Sequence, residues 1–124
     1  MEAVKGLAWL RSTALSEGRL ELLAEVNAPN SAAAAADRRI SVRLRDSRTV
    51  LGGFTTSLAH IRSLPESTET RAVVAVTAAT SGYVERSAAG VVVATGHPQP
   101  ALDLQLVLLR IDGRWLISEI LPAP

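Results

Sequence analysis

The segment LVLLRIDGRWLISEI, residues 106–120, limits the fold more than any other part of the chain. Asp112-Gly113 lies between two β-rich apolar runs, the strong signal for a two-residue type I′ turn, because both central residues must take positive φ. Placing Ile111 opposite Arg114 sets the pairing that follows. Arg110 meets Trp115, Leu108 meets Ile117, Leu106 meets Glu119 and Leu104 meets Leu121 on one side of the sheet. The other side carries Gln105, Val107, Leu109, Ile111, Leu116, Ser118 and Ile120. A sheet with one covered face alternates apolar and polar residues, and here both faces are apolar. Helices can cover one face. The other needs a second copy of the chain, another domain of a longer parent, or strong curvature. The expectation is a homodimer through Val107, Leu109, Ile111, Leu116 and Ile120.

Upstream the period is helical. Val4, Leu7, Ala8, Ala14 and Leu15 recur at three- and four-residue spacing over residues 3–17, and Gly18 supplies a stop. Arg11 falls inside that stripe, whereas Trp9 falls on its polar side. A short second helix is expected over residues 19–26, ended by Asn27-Ala28-Pro29-Asn30. Asn30 or Ser31 can cap a third, which starts with five alanines and runs to about Arg45 with Ala33, Ala36, Ile40 and Leu44 on one face. From Gly52-Gly53 onward the sequence reads as strand, over residues 54–61, 71–80, 82–85, 91–95, 102–111 and 114–121. Helices first and strands second predict an α+β domain, with N-terminal helices packed on a strongly curved antiparallel sheet. At 124 residues the chain forms one domain, 1–124.

Thirteen basic residues face twelve acidic ones, a net charge of +1, and they are scattered. The densest cluster, Arg38, Arg39, Arg43, Arg45 and Arg48, is interrupted by Asp37 and Asp46 and reads as a solvated helix face. Neither a nucleic-acid groove nor a base-stacking surface is expected, with aromatics at 3%. The absence of Cys excludes disulfides and thiolate chemistry. No apolar run approaches the ~20 residues of a membrane span, so this segment is not expected to insert directly into a membrane.

Three helical segments, a long bent antiparallel sheet and the ending DGRWLISEI together resemble the nuclear transport factor two-like superfamily of α+β cone folds. More narrowly, SEGRLELLAEVNAPNSAAAAADRRI with that ending looks like actinobacterial members of unknown function, many of them extracytoplasmic domains behind a membrane anchor. The resemblance implies a cone and favours an extracytoplasmic setting over a cytoplasmic one. It implies no single chemistry, because the fold hosts isomerases, dehydratases, cyclases and transport factors. Ketosteroid isomerases of this superfamily use a tyrosine and a protonated acid as oxyanion donors beside a carboxylate base. Here the only tyrosine is Tyr83, late in the chain and not on a helix.

Four residues are candidates for a pocket. The expected register aims Glu119 into the apolar side of the sheet, where a desolvated carboxylate can act as a base or anchor a ligand. Arg11, on an apolar stripe, needs a carboxylate, for which Asp37 competes with Glu119. Tyr83 completes the set. His60 and His97 have no second ligand at metal spacing, and Gly52-Gly53 lacks the lysine of a phosphate loop, so no metal or cofactor is expected. The reading is a non-catalytic binding or accessory domain with room for a small apolar ligand in the cone. The alternative is an isomerase- or cyclase-type enzyme using Glu119; a cytoplasmic regulatory dimer comes third.

Overall fold

In the computed structural model, which describes residues 1–124, α1 spans Ala3–Glu17 and stops at Gly18, as the apolar spacing predicts. The second segment is a 3-10 helix, Leu20–Glu25, rather than α-helix over residues 19–26. Between Gly18 and Pro29 there is too little chain for a stable α-helical nucleus, and the tighter turn suffices to drop Leu22 and Leu23 beside Ala14. α2 spans Ala32–Ser47. Its cap is Ser31, whose hydroxyl accepts the Ala34 N–H at 3.1 Å, while Asn30 turns the chain with φ 59°.

The buried face of α2 is Ala33, Asp37, Ser41 and Leu44, not Ala33, Ala36, Ile40 and Leu44. Ala36 is exposed and Ile40 half-buried. Hydrophobicity alone places the apolar side chains inward. The helix is instead rotated by an inward-facing Asp37, held by polar partners described below.

Seven strands follow: β1 Thr49–Gly52, β2 Thr56–Ser63, β3 Arg71–Thr80, β4 Tyr83–Ser87, β5 Val92–Gly96, β6 Gln99–Ile111 and β7 Arg114–Pro122. β1, too short to show alternation, was not expected. The strands form a four-stranded sheet, β2-β3-β6-β7, and a three-stranded one, β1-β4-β5, antiparallel throughout. Val4, Leu7, Val26 and Ala33 pack on Ala72, Val74, Val76, Leu106, Leu108 and Ile117 of the larger sheet. A second cluster, Leu15, Leu44, Leu51 and Phe54, joins both helices to β1.

The Asp112-Gly113 turn has φ 51° and 78°, the positive values a type I′ turn requires. Pairing runs as expected from Ile111↔Arg114 to Leu108↔Ile117, then slips, because Val107 pairs with Glu119. Ser118 is therefore the extra residue of a β-bulge. One extra residue exchanges the faces of everything beyond it. Glu119 moves to the outer side with Val107, and Ile120 moves to the helix side opposite Leu106. Both expectations for these residues are thereby corrected. At the bulge the outer edge of β7 is sealed, since Ile117 N–H donates to Val26 O at 2.8 Å and Ile117 O accepts from Ala28 N–H at 2.8 Å. β2 has a comparable slip between Ala59 and Arg62, with His60 at φ 52°.

Candidate functional site

Arg11 and Asp37 meet, and Asn27 joins them. The Arg11 guanidinium donates to both Asp37 carboxylate oxygens, with Nε at 3.1 and 3.0 Å and Nη2 at 3.0 Å. Asn27 Nδ2 donates to Asp37 Oδ2 at 2.8 Å. Asp37 is only 6% exposed. Three segments, α1, the turn after the 3-10 helix and α2, are thus tied at one carboxylate. The stem of Arg11 keeps the guanidinium over the Phe54 ring, 5.8 Å from its centroid, a cation–π contact. With four donor contacts on its two oxygens, the carboxylate is engaged by its own partners. The geometry is that of a clasp.

Tyr83 is not in that network. Its ring meets Phe54 edge-on, with centroids 6.0 Å apart and planes at 70°, and it lies across Gly96, its cross-strand partner. A Cβ on Gly96 would overlap the tyrosine ring, so glycine here makes room for an aromatic. Glu119 is exposed on the outer face and reaches neither Arg11 nor Tyr83. The four pocket candidates therefore divide: Arg11 and Asp37 are paired, Tyr83 touches their Phe54 neighbour, and Glu119 is elsewhere.

A second buried carboxylate has no signal in the sequence. Glu85, 5% exposed, accepts from Thr49 Oγ1 at 2.8 Å and from Arg43 Nη1 at 3.0 and 3.1 Å. It fastens α2 to the smaller sheet. A glutamate in a short strand has no periodic signature, and its partners are 36 and 42 residues away. No group of three or more His, Cys, Asp or Glu is placed to hold a metal ion.

A wide open cavity is on the other side of the four-stranded sheet. Arg62↔Ala75↔Gln105 and Thr77↔Asp103 form adjacent rows on the outer face, flooring an open groove of about 950 Å3. The β2 bulge at His60 makes one wall and Ala123 and Pro124 the other. Thr77 Oγ1 donates to Asp103 at 2.7 Å. Next to the groove runs an apolar band. Val73 pairs with Val107, and Leu109 with Leu116. Of the five residues expected at an interface, Val107, Leu109, Ile111 and Leu116 share this face. Ile120 does not, because of the Ser118 bulge. Val107 and Leu116 are already 4% and 7% exposed within the single chain, and Leu109 and Ile111 are half-buried.

No family model matches the chain, and no curated protein matches it. Solved structures do. The intermembrane space region of the chloroplast protein ARC6 superposes with a TM-score of 0.65 at 17% identity, covering 98% of this chain and 93% of that one. Aln2 from a Streptomyces species superposes with a TM-score of 0.56 at 13% identity, covering 96% and 85%. At these identities the likeness is one of fold, and it extends over nearly the whole chain. The architecture is an α+β fold of N-terminal helices on a curved antiparallel sheet, consistent with a cone-like fold.

Proposed function

We propose that the chain is a non-catalytic binding or accessory domain of the nuclear transport factor two-like superfamily that associates through the outer face of its four-stranded sheet, with a second copy as the partner. The observation that carries this reading is the apolar band, Val73, Val107, Leu109, Ile111 and Leu116, on the face away from the helices. Leu64 and the 40%-exposed Leu121 extend it. The groove beside it is where a small apolar ligand would lie. Similarity to an intermembrane space region is compatible with an extracytoplasmic setting.

Part of the band is buried within one chain, so association has less to gain than five open side chains would offer. Leu64, Leu109, Ile111 and Leu121 can together lose on the order of 200 Å2 per copy, worth ~10 kcal/mol for two copies at ~25 cal/mol per Å2. Association costs of ~4–15 kcal/mol offset most of that. The dimer is therefore expected to be weak. Sedimentation equilibrium from micromolar to high micromolar concentration tests it, with Leu109→Lys as the disrupting variant. Concentration-dependent dimerisation lost on Leu109→Lys supports the reading, and a monomer at every concentration overturns it. The enzyme alternative has less support, since Glu119 is exposed and Asp37 and Glu85 are occupied by their own partners.

A further inference from the structure

The arginine cluster of α2 is less diluted than its sequence implies. Asp37, which interrupts it in the chain, is buried and neutralised by Arg11 from another helix. Arg43 leans the other way, onto Glu85. On the exposed side remain Arg38, Arg39, Arg45 and Arg48, none in an ion pair, with Asp46 as the only carboxylate among them. At 100° per residue, Arg38, Arg39, Val42, Arg45 and the single acid Asp46 fall on one stripe, opposite the buried Ala33, Asp37 and Leu44. The protein as a whole has a net charge of only +1, so this face is more positive than the remainder of the chain.

We infer that this face of α2 adsorbs to a bilayer surface bearing anionic phospholipids, without inserting. The inference concerns a different face from the proposed dimer band and does not depend on it. Charge complementarity identifies the occupant. A protein partner is expected to offer an aromatic or aliphatic anchor for a desolvated centre. Here the only large apolar residue on the stripe is Val42, 41% exposed, with Arg38, Arg39, Arg45 and Asp46 as its neighbours one turn away. Guanidiniums on a convex helix, with no hydrophobic centre, suit a diffuse negative surface whose phosphates accept forked N–H donors. Ala34 and Ala35 leave a shallow groove of about 730 Å3 beside Arg38 and Arg39, where a phosphate can approach both. One valine is too little apolar surface to hold a helix in the acyl region, so attachment is electrostatic and reversible.

Co-sedimentation of the chain with phosphatidylcholine vesicles containing one third phosphatidylglycerol, against pure phosphatidylcholine, tests this. Binding is expected on the anionic vesicles at low salt and should weaken as salt shortens the screening length. Each arginine near the surface is worth about fivefold in partitioning, so Arg38→Gln/Arg39→Gln should bind about 25-fold more weakly. Its unfolding midpoint should stay at the wild-type value, because neither side chain has a structural partner. Arg62→Gln/Arg71→Gln, on the outer face of the sheet, should bind like wild type. Three outcomes overturn the inference: no binding to anionic vesicles, equal binding to neutral ones, or an Arg38/Arg39 variant that binds as well as wild type. Salt-sensitive binding to duplex DNA without vesicle binding would also overturn it, in favour of a nucleic-acid partner.

Discussion

Replacing Arg11 by alanine should destabilise the domain by about 3–4 kcal/mol. The substitution strands the Asp37 carboxylate with Asn27 as its sole remaining donor, and breaking a buried pair from one side costs ~3–5 kcal/mol. Two features move the value within that range. The Arg11 side chain is 25% exposed, so the native pair is incompletely desolvated and the lower end applies. Loss of the guanidinium over Phe54 then adds back ~0.5–1 kcal/mol. Asp37→Ala should cost less, about 2 kcal/mol, because a quarter-exposed guanidinium can turn to water, whereas a carboxylate at 6% exposure cannot. Arg11→Leu/Asp37→Leu should lie within about 1 kcal/mol of wild type, since removing both charges leaves neither unpaired. Urea unfolding provides the measurement. With a slope of ~2 kcal/mol per molar, Arg11→Ala should lower the midpoint by about 1.5–2 M at unchanged slope. Single-variant losses below about 0.5 kcal/mol, or a double variant no better than the sum of the singles, would refute the clasp.

Other outcomes can be checked alongside it. Gly96→Ala should cost about 1–3 kcal/mol in the same assay, because its methyl group displaces the Tyr83 ring, and Tyr83→Ala in that background should recover part of the loss. Ser31→Ala removes the cap of α2 and should cost ~1 kcal/mol, while Asn30→Ala should leave that cap intact. Val91, just before β5, and Val92 and Val93 within it are 58%, 48% and 56% exposed at an unpaired sheet edge. Val92→Lys should therefore slow aggregation on mild heating, read by light scattering, with a stability change within about 0.5 kcal/mol.

What could be read from the residues was whatever a local rule specifies. The period of α1, its stop at Gly18, strand β3 and the Asp112-Gly113 turn all follow from spacing and turn chemistry, and the structure has them at or near the expected bounds. What failed depends on partners distant in the chain. Asp37 faces inward because Arg11 and Asn27 meet it there, so a hydrophobic stripe misassigned the rotation of α2 and with it the charge of the opposite face. Ser118 bulges where residues 26–28 dock on the edge of β7. Nothing within the hairpin announces that slip, and it moved Glu119 out of the cone. Half of the expected clasp was legible, because a lone arginine on an apolar stripe needs an anion, but choosing Asp37 over Glu119 required the fold.

The docking of residues 26–28 on β7 also bears on the order in which the molecule can be made. Ile117 exchanges hydrogen bonds with Val26 and Ala28 across some ninety positions of chain, so the helical third acquires its last backbone partners only after the final hairpin has left the ribosome. Until then Val26, which is fully buried in the finished domain, has no β7 to lie against, and the nascent chain keeps apolar surface available to chaperones. Such long closures slow folding and make it all-or-none. Amide protection at Ile117 and Ala28 should consequently appear together and late in a refolding experiment, and a ribosome-bound chain stopped before β7 should remain protease-sensitive in its helices.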